Sequence, residues 1–403
     1  MNEPLTPGEL NARAVDAPVA GRFVLLWILM PLAVLAAAIW WLIAANPLAA
    51  FDNGAPPVEN LTVERTILDQ SGLRLLVRAG GSEQMVIAQV QVDAAYWEFS
   101  QEPAGPIERG DTAWVNLPFP WIVGEAHRVT FVTSTGATFE HPIPVAVPTP
   151  VVTSGNLMSQ AVIGAFVGIL PVAVGLMFFP ALRGAGPATM NFLLAMTIGL
   201  LGFLLVDALV ESLELAAQSA AIFQGPVMVA LAAAASFLLL MGVSRREGRP
   251  AGLALATYIS LGIGLHNFGE GLAIGAAFAA GAAGLGTFLV MGFTLHNITE
   301  GIGIAAPILK VRPPLWTFAG LALLAGGPAV IGMWIGSLAY APQWSALALA
   351  VGAGAILQVV IEVGLYLIRS SGRGSSALFS PPVLAGLAVG VGFMYATAML
   401  VKI

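Results

Sequence analysis

Eight successive apolar stretches fill the chain beyond residue 156, at roughly 157–181, 188–216, 226–243, 252–280, 284–309, 315–340, 343–368 and 382–401. Each is close to the ~20 residues a helix needs to cross the hydrocarbon core of a bilayer. Within that core every backbone N–H and C=O must be satisfied by the chain itself, so such runs have to be helical. The composition agrees. The chain is 58% hydrophobic and only 9% charged over 403 residues, where a soluble domain carries about 25% charged residues. The expected fold class is an α-helical polytopic membrane protein.

The few basic residues orient the spans. Arg183, then Arg245, Arg246 and Arg249, then Lys310 and Arg312, then Arg369 and Arg373 fall between alternate pairs of spans, while the intervening loops carry none. Basic loops stay cytoplasmic, so all of these loops face the cytoplasm together with Arg13 and Arg22. Lys402 alone falls on the opposite side. Trp40, Trp41, Trp316 and Trp344 stand near span ends, where aromatic belts form.

Ahead of the eight spans the character changes twice. Residues 1–21 are polar and contain prolines, and are expected to form a cytoplasmic tail. Phe23 to Ile43 is apolar, longer than a signal-peptide core and without a good cleavage site after it. A retained transmembrane helix over 22–45 follows. From 55 to 147 charge rises and short alternating runs appear: Leu73–Val77, Met85–Val92, Thr112–Asn116, Val129–Thr133 and Thr138–Ile143. Period-two alternation predicts half-buried strands, and Ser134-Thr135-Gly136 predicts a hairpin turn. A small extracytoplasmic β-sandwich is expected, joined by a proline-rich linker, 148–156, to the domain at 157–403. The chain is thus placed in the cell (plasma or inner) membrane, with residues 55–150 outside.

Two segments inside the apolar runs carry the chemistry. His266-Asn267-Phe268-Gly269-Glu270-Gly271 and His296-Asn297-Ile298-Thr299-Glu300-Gly301 repeat one H-N-x-x-E-G pattern 30 residues apart. A charged carboxylate at the bilayer centre costs about 3 kcal/mol on insertion scales and calls for a partner. Spacing of i and i+4 puts each His and its Glu on one helix face. His266 and His296 are each near the middle of their spans, about 20 Å from either end at 1.5 Å per residue. The two faces can therefore meet at equal depth. A single His–Glu staple within each helix would explain one copy; two copies at matched depth point to a metal site. Two imidazoles, two carboxylates and two amide oxygens suit Zn²⁺, Fe²⁺, Mn²⁺, Co²⁺ or Cd²⁺ better than Cu(I), which prefers sulfur. The chain has no cysteine to offer. Imidazole must lose its proton to bind metal, so affinity should fall as pH drops.

Other membrane carboxylates extend the pattern. Asp207, Glu211 and Glu214 share one face of the second span and could form an acidic way in for cations. Glu362 in the seventh span, one turn after Gln358, could be an exit-side relay, a gate or a proton carrier, or a buried protonated carboxyl bonded to a neighbouring helix. His127 and His141 flank the predicted hairpin and are read as satisfied sandwich histidines. No phosphate-binding G-x-x-x-x-G-K-[ST] loop is present, and no basic patch suggests nucleic acid.

The paired H-N-x-x-E-G segments, with Phe203-Leu204-Leu205-Val206-Asp207-Ala208-Leu209 and the Gly352-to-Glu362 stretch, resemble the ZIP (Zrt/Irt-like) metal transporters, especially their prokaryotic GufA-like branch. The resemblance covers about 157–403. It implies an eight-helix bundle of three, two and three helices, homodimers, and uptake of zinc or a similar divalent ion into the cytoplasm. By match of motif His266, Asn267, Glu270, His296, Asn297 and Glu300 would be the metal ligands, with Asp207, Glu211 and Glu362 along the pathway. The sequence departs from the family at three places. Gly269 and Thr299 stand where proline usually precedes the Glu. Gly326-Gly327-Pro328 replaces a frequent Glu-Pro pair, which implies one metal rather than two. No histidine-rich tract precedes the fourth span. The protein is read as a carrier rather than an enzyme, with the transported divalent metal and the lipid bilayer as its partners and no bound cofactor. The alternatives are an intramembrane metal-dependent hydrolase and a membrane-anchored receptor centred on the sandwich.

Overall fold

The computed structural model describes residues 21–45, 47, 56–149, 153–184, 186–246, 248–279, 283–311, 313–339, 341–371 and 374–401. The expected tail, the short turn at 280–282, and Arg13, Arg312, Arg373 and Lys402 lie outside them. The chain forms two units, 1–56 and 57–403. The described residues of the first form the helix α1 (Gly21–Ala45), apolar after Arg22, with Pro31 inside it.

The second unit begins with two antiparallel four-stranded sheets. Strands β1 (Leu61–Asp69), β2 (Gly72–Ala79), β6 (Thr112–Leu117) and β5 (Ser100–Glu102) form one sheet in the order β1-β2-β6-β5. Strands β4 (Ala95–Trp97), β3 (Ile87–Val92), β7 (His127–Thr133) and β8 (Thr138–Ile143) form the other in the order β4-β3-β7-β8. Alternate residues face inward, as the pleat requires. Leu73, Leu75, Val77, Val115 and Leu117 of one sheet and Val90, Val92, Val129 and Phe131 of the other are buried in one core. The five expected strands fall on β2, β3, β6, β7 and β8. β1, β4 and β5 are additional. In the β7–β8 hairpin Val129 lies opposite His141, so His141 is two residues from His127 in register. Pro142 lies in the edge strand β8, where a missing N–H costs no ladder bond.

The helical part follows. Six helical stretches among the described residues are long and apolar enough to cross a membrane: 155–182, 187–217, 221–244, 315–338, 342–370 and 381–399. The first is interrupted. It runs as α2 (Ser154–Val167), α3 (Ile169–Met177) and α4 (Phe179–Leu182), with Thr153 capping the start by accepting from the Asn156 N–H at 3.2 Å. The others are α5 (Pro187–Ala217), α6 (Gly225–Ser244), α9 (Leu315–Ala339), α10 (Pro342–Ser370) and α11 (Pro381–Val401). Between α6 and α9 come α7 (Gly252–Ala279) and α8 (Ala283–Ala305), which hold the two repeated motifs; their His, Asn and Glu residues lower the apolarity of these helices. α7 runs unbroken through Gly269.

Glycine sets the packing around these two helices. A Cβ on Gly271 of α7 would collide with the Ala329 carbonyl of α9, and one on Gly301 of α8 with the Val172 carbonyl of α3. Gly168, at the break between α2 and α3, meets Gly326 of α9 backbone to backbone. Small residues permit this approach, and without a hydrophobic driving force in lipid it is van der Waals contact that holds such helices.

Candidate metal centre

α7 and α8 run antiparallel, since Asn267 contacts Glu300 while Glu270 contacts His296 and Asn297. The i, i+1 and i+4 spacing in each helix then delivers His, Asn and Glu to the shared face. The structure brings all six sequence-predicted residues together. His266, Asn267, Glu270, His296, Asn297 and Glu300 are each at most 5% exposed.

Glu270 is the hub. Its Oε1 lies 2.7 Å from His296 Nε2 and 3.2 Å from His266 Nε2, the latter outside good hydrogen-bond geometry. Its Oε2 accepts from Asn297 Nδ2 at 3.3 Å. The His–Glu pairing is therefore both within one helix and across to the other, not two separate staples. Glu300 is less engaged: Oε2 accepts from Asn267 Nδ2 at 3.4 Å, and Oε1 has no partner.

Each asparagine also donates to the main chain of an interrupted or proline-containing helix. Asn267 Nδ2 reaches the Ala325 carbonyl of α9 at 3.1 Å, and Asn297 Nδ2 reaches the Val167 carbonyl of α2 at 3.0 Å. Both amide oxygens, Asn267 Oδ1 and Asn297 Oδ1, are buried without a donor. Buried polar atoms are nearly always partnered, so orphaned acceptors call for a missing donor or cation. His266, His296 and Glu300 each offer a ligand atom within 4.8 Å of the others'. Ligands about 2.0–2.2 Å from one tetrahedral ion lie roughly 3.4 Å apart, so binding would draw the three atoms together.

A cavity of about 760 Å³ opens onto this cluster. Asp207, Glu211 and Glu214 of α5 line it, with His266, Glu270 and His296 at its floor. The expected acidic face is thus continuous with the site. Sequence reasoning did not place Leu289, Phe293, Met394 and Thr397 in the cavity wall, since these residue types look like ordinary helix packing. Ser212 fixes α5 by donating to the Ala346 carbonyl of α10 at 2.7 Å.

Glu362 is placed elsewhere. Its Oε1 accepts from Arg245 Nε at 2.9 Å, its side chain is 1% exposed, and it does not line the cavity. Arg245 bridges it to the end of α6. The basic signal was visible: Arg245 follows α6 directly.

The sandwich histidines both have partners. His127 Nδ1 lies 2.7 Å from Asp93 Oδ2, and His141 Nε2 lies 2.9 Å from Thr66 Oγ1. Burial lowers the pKa of His141. Burial also pulls the Asp93 carboxyl upward, but its bonds to His127 and to the Arg128 N–H outweigh this and hold it below its ordinary value. A polar junction, missed from sequence, ties the sandwich to the helices. Glu64 of β1 accepts from Arg78 of β2 and, at 2.8 Å, from Gln343 Nε2 at the start of α10. The Arg78 guanidinium also sits 5.2 Å over the Phe223 ring. No family model matches the chain, and no curated protein matches it.

Proposed function

We propose that the protein is a divalent transition-metal transporter, with zinc the foremost cargo, moving metal into the cytoplasm through the site between α7 and α8. In this reading α7 and α8 span the membrane with the six apolar stretches, the basic loops face the cytoplasm and the sandwich lies outside, as in a ZIP-like homodimer. The observation that carries the reading is the buried cluster itself: two imidazoles and two carboxylates, with two amide oxygens and one carboxylate oxygen left without donors. Two ionised glutamates neutralise one divalent cation. A low-dielectric site can hold that combination, whereas it excludes a net charge. Nitrogen and oxygen donors without sulfur favour Zn²⁺, Fe²⁺, Mn²⁺, Co²⁺ or Cd²⁺.

The cargo approaches past Asp207 and Glu211, whose charge raises its local concentration. It then exchanges water for the His, Glu and Asn ligands, displacing the His296 contact from Glu270. Release on the far side requires parting of the Arg245–Glu362 pair or a path beside it. Purified protein in liposomes should take up Zn²⁺ down its gradient, with Fe²⁺, Mn²⁺ and Cd²⁺ tested alongside. Glu270→Ala and His296→Ala should each abolish uptake at normal expression. Unchanged uptake in both variants sinks the reading.

A further inference from the structure

The asparagine orientations are dictated by their surroundings. Each Nδ2 faces a main-chain carbonyl and a carboxylate. Neither group can donate, so a flipped amide would set oxygen against oxygen twice. What fixes the direction of each amide oxygen is therefore the pair of acceptors that hold its nitrogen. For Asn297 the main-chain acceptor is Val167 O, and its availability has a specific source. In a continuous helix that carbonyl would accept from the N–H of residue 171. Residue 171 is Pro171, which has no N–H to give, and the helix breaks at Gly168, between the two. On the other side Asn267 donates to Ala325 O, three residues before Pro328. There the carbonyl that proline leaves without a helical donor is that of Leu324, so the coincidence belongs to Val167 and Pro171.

We propose that Pro171 is a positioning residue for the cation site: by withholding an N–H from the Val167 carbonyl it leaves that oxygen to Asn297, which turns its Oδ1 into the ligand cluster. The inference rests on the transporter reading, because it gives Asn297 Oδ1 a cation to bind. With an N–H at 171 the carbonyl would align along the helix axis, away from Asn297. The amide would then lose its anchor and be free to turn.

Pro171→Ala tests this by calorimetric titration of the full-length protein in detergent with Zn²⁺. The expected result is binding weaker by about ten-fold, the worth of one buried hydrogen bond. Pro180→Ala, which removes an exposed proline in the same span away from the cluster, should leave affinity unchanged. The decisive comparison is made in an Asn297→Ala background. There Pro171→Ala should cause no further loss, because the group it positions is gone. Wild-type affinity in Pro171→Ala overturns the inference, and so does an equal loss in both backgrounds, which would mark a general packing effect. Failure of the unsubstituted protein to bind Zn²⁺ or Cd²⁺ refutes the transporter reading instead, and the inference with it.

Discussion

At Glu270 one carboxylate oxygen faces two imidazoles and the other faces an amide. Its removal takes a hydrogen bond from His296 and another from Asn297, and leaves His266 without its nearest carboxylate. Glu300 has one amide donor and one free oxygen. Replacing each glutamate by leucine should therefore have unequal effects on the metal-free protein. Each unsatisfied buried polar group costs about 1–3 kcal/mol, so Glu270→Leu should lower the unfolding midpoint in detergent well below that of Glu300→Leu. Equal midpoints would contradict Glu270 as the hub. His141 offers a second prediction outside the membrane. Its folded pKa lies below the unfolded value, so on acidification the unfolded chain takes up the proton first. Stability should fall with pH below about 6.5, and His141→Gln should flatten that slope in thermal unfolding followed from pH 7 to pH 5. The six clustered residues were legible because an unusual residue set repeated at helical spacing. Their anchors were not: Val167 and Ala325 contribute carbonyls, which any residue has, and only Pro171 left a trace that spacing could have used.

Elements were legible where composition and period agreed. The helix limits match the apolar runs to within a few residues, because lipid demands unbroken apolar length. The break of the first span at Gly168 escaped notice, since glycine and proline are common in membrane helices and need not interrupt them. β1 escaped for another reason. It carries Glu64, Arg65 and Asp69 and a register shift between Val63 and Arg65, so it shows no clean alternation. Of its polar side chains Glu64 serves the junction with α10 instead of solvent. The glycine contacts give a prediction at this scale. Gly301→Val would drive a side chain into the Val172 carbonyl, an overpacking that costs about 1–3 kcal/mol or more. It should reduce the yield of folded protein on size exclusion far more than Gly320→Val, where nothing lies within 4 Å. Similar yields would mean that α3 and α8 have room to part.

Over the whole second unit, the sandwich is joined to the helices through a buried charge. Glu64 is 5% exposed and depends on Arg78 and Gln343 for its compensation. Removing one partner of a buried ion pair typically costs about 3–5 kcal/mol. Arg78→Met should therefore speed hydrogen exchange in β1 and at 342–346 together, leaving α7 and α8 protected. Unchanged exchange at both would show that Gln343 alone holds the junction. The cavity above the cluster has a consequence of its own. At about 30 Å³ per molecule, a space of about 760 Å³ has room for roughly 25 waters. If the protein carries metal as proposed, a cation crossing it toward α7 and α8 keeps its hydration shell until Glu270. Discrimination among metals then falls on the single step that strips water from the ion, so ions should be sorted by the cost of dehydration against the gain at the ligands, and hardly at all by their passage through the vestibule.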